Sequence, residues 1–133
     1  MIDFFNPTGD RGAPPSVERR IMGNRRRDFL AVVGELDHQE ALRCLLDQHG
    51  RSVLASLVPE PANPHDLHAV AVAIDERKVG YLTSDVAKKY GPILSARATP
   101  IMCPAELHGG EWDTPTIRVV LDFSLVYAAA RGT

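Results

Sequence analysis

The sequence predicts a mainly β (α+β) fold, a small, partly open β-barrel of about six strands with two helices. Three observations point to it. Short apolar runs recur along the chain, separated by clusters of Gly, Pro, Asn and Asp that stop strands and start turns. One run alternates cleanly, with Ala69, Ala71 and Ala73 on one face and Val70, Val72 and Ile74 on the other. Only two stretches carry the apolar stripe and the stop signals of a helix.

The elements follow in order. Residues 29–34 read as a short buried strand. Residues 37–48 form a helix whose Ala41, Leu42, Leu45 and Leu46 share one stripe and whose stop is Gly50. A strand over residues 52–58 leads into Asn63-Pro64, where proline lacks a ladder donor and restricts the residue before it. Asp66 follows in the turn, a position where Asp bonds nearby backbone amides. The alternating strand to Ile74 returns through Lys78-Val79-Gly80-Tyr81-Leu82, and Thr83 or Ser84 caps a second helix. That helix is expected to break at Gly91-Pro92, with Ile93 and Leu94 in a further turn. Residues 99–107 and 116–126 close the chain as strands joined by a loop opening at His108-Gly109-Gly110-Glu111. In the last strand Ile117, Val119, Leu121, Phe123 and Leu125 share a face.

The chain has 133 residues, 44% of them hydrophobic and 24% charged, which suits one soluble domain with a core of its own. No apolar run approaches the about 18 residues of a membrane helix, and none resembles a secretory signal, so no membrane partner is expected. Two cysteines, Cys44 and Cys103, do not make a disulfide framework, and a reducing, cytoplasmic setting is expected. Net charge is −2 but unevenly spread. Residues 1–27 hold six Arg against three acids, and residues 28–133 hold nine Lys or Arg against fourteen acids. A body this acidic is no general polyanion binder, because nonspecific nucleic-acid affinity comes from neutralised phosphates. Residues 1–27 have no helical or strand period and read as a mobile Arg-rich arm, 28–127 as the domain and 128–133 as a C-terminal tail.

The order Asn63-Pro64, Asp66, Ala69-Val70-Ala71-Val72, Val79-Gly80-Tyr81-Leu82 and Ala87 resembles the HIRAN domain. That small module is known from some helicase-like DNA-repair ATPases and from stand-alone bacterial and phage proteins. Val32-Val33-Gly34-Glu35 and Gly91-Pro92-Ile93-Leu94 also fit, so the resemblance covers residues 29–123. It implies an OB-like barrel with helices packed across it. It also implies nucleic-acid binding, and in the members that take single-stranded DNA ends the Asp at position 66 accepts a hydrogen bond from the terminal 3′-hydroxyl. A carboxylate accepts from a hydroxyl and repels a phosphate, so a free 3′-end would be favoured.

Alternatives stay open at each candidate residue. Asp66 could equally serve only its own Asx turn. His65 stands where the resemblance places a ring against the terminal base, and imidazole offers less stacking area than Tyr or Trp. Where those members carry further aromatic or basic contacts, this chain has Leu36-Asp37-His38. His38 is the candidate contact there, beside an Asp that repels phosphate. Tyr81 suits stacking or core packing with its hydroxyl at the surface. Lys78 and Lys88 suit phosphate contacts or plain solvation, as does Lys89. Arg25, Arg26 and Arg27 are candidate phosphate contacts from the arm, or a solvated flank.

His65 and His68 with Asp66 offer a weak metal alternative for a hydrolase, to which Cys103 and His108 could add only through the fold. Cys44 reads as helix packing. No phosphate loop, Ser-His-Asp order or glycine fingerprint is present, so no catalytic residue and no cofactor is assigned. The expectation is a non-catalytic module whose partner is a single-stranded DNA end or other nucleic acid. The alternative is a protein-interaction or adaptor domain that keeps the scaffold without the DNA pocket.

Overall fold

The computed structural model describes residues 28–131. Six strands form one antiparallel sheet: β1 (Phe29–Ala31), β2 (Ser52–Pro59), β3 (Val70–Ile74), β4 (Arg77–Tyr81), β5 (Met102–His108) and β6 (Arg118–Asp122), in the order β1-β6-β5-β2-β3-β4. The helices are α1 (Gln39–His49), entered through a 3-10 turn at Glu35–His38, α2 (Ser84–Ser95) and α3 (Ser124–Arg131). The mainly β, partly open barrel expected from the sequence is the architecture observed, with one helix more than the pattern predicts.

The sheet curls until its two edges meet. Just past β1, Val33 N–H donates to the Tyr81 carbonyl at 2.9 Å, and Tyr81 N–H donates to the Val33 carbonyl at 2.8 Å. This single bridge is a seam at one end of an otherwise open sheet. Gly80 permits it: a Cβ there would lie 2.5 Å from Val32 Cγ1 and 2.6 Å from the Val33 carbonyl oxygen. The glycine of the Val-Gly-Tyr run is therefore required by close approach of backbone.

Inside the curl, Leu57, Val70, Val72, Ile74, Val79, Leu107, Val119 and Leu121 pack with Leu42 and Leu45 of α1 and Leu94 of α2. Tyr90, Phe123 and Tyr127 join α2, the end of β6 and α3, with ring centroids 5.4–5.6 Å apart in edge or tilted geometry.

Several expectations are corrected. Helix α2 does not break at Gly91-Pro92 but runs to Ser95. Pro92 is exposed and forfeits a helical bond on the solvent side, while the continued turn buries Leu94. The last strand ends at Asp122 rather than at residue 126, because Asp122 Oδ1 accepts from Ser124 N–H at 3.0 Å and turns the chain into α3. Leu125 is consequently exposed, and residues 128–131 are helical rather than tail. Cys44 is exposed and lies outside the packed stripe of α1, whereas Cys103 is buried. Thr83 is the residue before α2, but its side chain makes no capping bond.

Candidate nucleic-acid interface

The candidate corner begins where β2 ends. Proline at 59 and 61 and the Asn63-Pro64 pair end the ladder, and the loop is tied at its neck by Glu60 N–H to the Ala69 carbonyl at 2.8 Å. Asn63 organises the turn. Its Oδ1 accepts from the amides of His65 (2.8 Å) and Asp66 (3.1 Å), and its Nδ2 donates to Glu60 Oε1 at 3.0 Å. Asp66 Oδ1 then accepts from His68 N–H at 2.9 Å, an Asx turn of its own. Among the described residues, Asp66 Oδ2 has no hydrogen-bond partner. Both roles considered for Asp66 are thus compatible: one oxygen holds the loop and the other is available.

Strand β4 supplies the other wall. In a regular strand, residues three apart point to opposite faces. Here the β3–β4 register shifts between Val72 and Ala73, so that Val72 pairs with Gly80 and Ala73 with Lys78. The bulge puts Lys78 and Tyr81 on the same outer face. Lys78 Nζ lies 2.8 Å from both Glu60 Oε2 and the Tyr81 hydroxyl oxygen, and 4.9 Å from the Tyr81 ring centroid. The Tyr81 hydroxyl donates to Glu60 Oε1 at 2.9 Å.

Glu60 is the hub of this cluster, and the sequence reading did not single it out. Its side chain retains 24% exposure. Lys78 beside it holds its carboxyl below the ordinary 4.5, with the Asn63 and Tyr81 hydrogen bonds acting in the same direction against partial burial. Glu60, and then Tyr81, raise Lys78 above 10.5.

A third wall comes from the turn after the seam. Gly34 sits at φ +82°, where a Cβ would come 4.0 Å from Tyr81 Cδ2, so the Leu36-Asp37-His38 turn starts against the tyrosine ring. That turn is fixed from behind by two residues to which the sequence reading gave no role in positioning it. Glu35, 2% exposed, accepts from Val119 N–H at 3.0 Å and lies 3.6 Å from Arg118. Gln39 exchanges hydrogen bonds with both backbone groups of Ile117, at 2.9 and 2.8 Å, acting as a substitute strand partner.

The structure therefore brings Lys78 and Tyr81 together directly, with His65 and Asp66 on the adjoining loop. His65 is exposed, and His38 is partly buried in its turn. Neither His38 nor Lys88 makes a hydrogen bond or ion pair with the corner. Arg25, Arg26 and Arg27 lie outside the described residues. His65 and His68 have no third ligand: no group of three or more His, Cys, Asp or Glu suited to a metal forms among the described residues. Cys103 is in the core, and His108 pairs with Glu106 at 3.1 Å.

A separate groove of about 520 Å³, bordered by Phe29, Leu54, Pro104 and Val120, shares no residue with this corner. It is largely apolar but also lined by Ser52, Glu106 and Asp122, of which Glu106 pairs with His108 and Asp122 accepts from Ser124 N–H. No protein-family model matches the chain, and no curated protein or solved structure matches it.

Proposed function

We propose that the chain is a HIRAN-type, non-catalytic nucleic-acid-binding module that takes the 3′-end of single-stranded DNA at the corner of His65, Asp66 and Tyr81. The observation that supports this most is the division of labour within the Asp66 carboxylate. Oδ1 is committed to the His68 amide, and Oδ2 is left for a hydroxyl donor. The exposed His65 ring supplies a stacking surface beside it, and the Tyr81 ring a second, partly buried one. Lys78, engaged by Glu60, adds little net charge, so affinity comes from stacking and one charge-assisted hydrogen bond.

Fluorescence anisotropy with matched oligonucleotides ending in a 3′-hydroxyl or a 3′-phosphate tests the proposal. The hydroxyl end is expected to bind at low salt and about tenfold or more tightly than the phosphate, since a hydrogen bond to a charged group contributes about 1.5–3 kcal/mol. Asp66→Asn keeps an acceptor for His68 N–H but removes the charge, and should abolish the preference. Absence of binding at low salt, or indifference to both the 3′-group and Asp66, rules the proposal out.

A second reading is an adaptor domain on the same scaffold. It is favoured by Leu36 and Leu67, 67% and 69% exposed, and by the apolar groove. Recovery of a stable protein partner without an oligonucleotide shift supports it, and strong DNA binding with no partner recovered counts against it.

A further inference from the structure

We propose that Glu60 is a specificity-determining residue of this corner: it holds Lys78 and so withholds the cation that would otherwise accept a terminal phosphate. The inference deepens the end-binding reading and rests on it for the identity of the ligand.

The two Glu60 oxygens have different work. Oε1 accepts from Asn63 Nδ2 and from the Tyr81 hydroxyl, which ties the loop to β4. Among the described residues Oε2 has one polar partner, the Lys78 ammonium at 2.8 Å. The loop needs the first oxygen whatever binds, whereas the second bears on Lys78 alone. Without it, an ammonium on the outer face beside Tyr81 would be a point charge ready for phosphate. No other Lys or Arg of the described residues makes a hydrogen bond or ion pair within this cluster. With Lys78 neutralised, an anionic end meets the carboxylates of Asp66 and Glu60 and, among the described residues, no cation in the cluster other than the one Glu60 holds. A hydroxyl end meets an acceptor and suffers no such repulsion.

Glu60→Gln separates the two oxygens. The amide oxygen can still accept from Asn63 and Tyr81, while the amide nitrogen cannot hold an ammonium. In this variant a 3′-phosphate oligonucleotide is expected to bind about tenfold more tightly than to the wild type. The salt dependence of its log K should steepen by about 0.7, the value for one neutralised phosphate on a single strand. The 3′-hydroxyl oligonucleotide should change little, and adding Lys78→Met should return the phosphate-ended strand to wild-type behaviour.

Inorganic phosphate, titrated against both proteins with the Lys78 side-chain resonances followed by NMR, supplies a readout independent of DNA. If no variant binds oligonucleotide yet phosphate shifts Lys78 in Glu60→Gln and not in the wild type, the end-binding reading falls and the withholding of Lys78 stands. Equal response of Lys78 to phosphate in both proteins, or no gain for the phosphate-ended strand in Glu60→Gln where the wild type does bind DNA, overturns the inference.

Discussion

Replacing Gly80 by Ala puts the seam of the barrel under a defined load. The new methyl carbon would sit 2.5 Å from Val32 Cγ1 and 2.6 Å from the Val33 carbonyl oxygen, and one of these contacts is to backbone that cannot rotate away. The chain has two responses. It can hold the seam and absorb the overlap, at the about 1–3 kcal/mol typical of overpacking. Or it can open the seam, losing the two Val33–Tyr81 hydrogen bonds at about 1 kcal/mol each and part of the burial of Val32. The cheaper response sets the cost, so Gly80→Ala should destabilise by about 2 kcal/mol, with about 3 kcal/mol as the ceiling. For a domain of this size that lowers Tm by about 8 °C. Gly91→Ala is the matched control. A Cβ there would lie 3.5 Å from the His68 carbonyl oxygen and 3.8 Å from Val70 Cγ2, ordinary contacts, and alanine favours a helix interior over glycine by about 1 kcal/mol. Its Tm should therefore stay level or rise by about 4 °C. Thermal melts followed by circular dichroism compare the two. Equal Tm changes, or a Gly80→Ala protein as stable as wild type, would refute the account of the seam.

Three more outcomes follow from the same contacts. Gln39→Ala leaves both backbone groups of Ile117 without their side-chain partner, and urea titration should show a loss of about 2 kcal/mol; a loss below about 0.5 kcal/mol would mean water replaces the amide readily. Because Lys78 lowers the folded-state pKa of Glu60, the stability from that pair is complete above the ordinary carboxylate value of 4.5 and fades as acid takes the pH down through the lowered one. Carbon-13 NMR should find Glu60 titrating below 4.5 in the wild type and higher in Lys78→Met, and no difference between the two would remove the ion pair as the cause. Burial, reinforced by Asp122, pushes the Cys103 thiol up to about 12, so a thiol reagent at neutral pH should label exposed Cys44 quickly in the native protein and Cys103 only on unfolding. Two thiols reacting at the same rate would contradict the packing of β5.

Much of the fold is legible because its cues are local. The alternation from Val70 to Ile74, the Leu42 and Leu45 stripe and the Asn63-Pro64 stop each reside within a few residues, and each side chain is placed where its pattern puts it. The end of β6 is less so. Period-two alternation runs on from Ile117 through Leu125, and the turn that halts it depends on one Asp122 oxygen meeting a single amide. Glu35 looks from sequence like an ordinary acid at the start of a helix, and its burial is decided by a strand more than eighty residues away. The hub at Glu60 is hidden for a similar reason. Its meeting with Lys78 requires two strand registers and a bulge, none of which spacing along the chain encodes.

The seam has a consequence for how the corner behaves in time. Tyr81 closes the barrel with its main chain while its hydroxyl belongs to the Glu60 cluster, so one residue is both clasp and furniture. Breathing of the barrel edge and disassembly of the corner are consequently a single fluctuation rather than two. The amide protons of Val33 and Tyr81 become a pair of clocks for it. Whatever occupies the corner, and whatever its chemistry, must slow both clocks together if it gains affinity by holding Tyr81 in place.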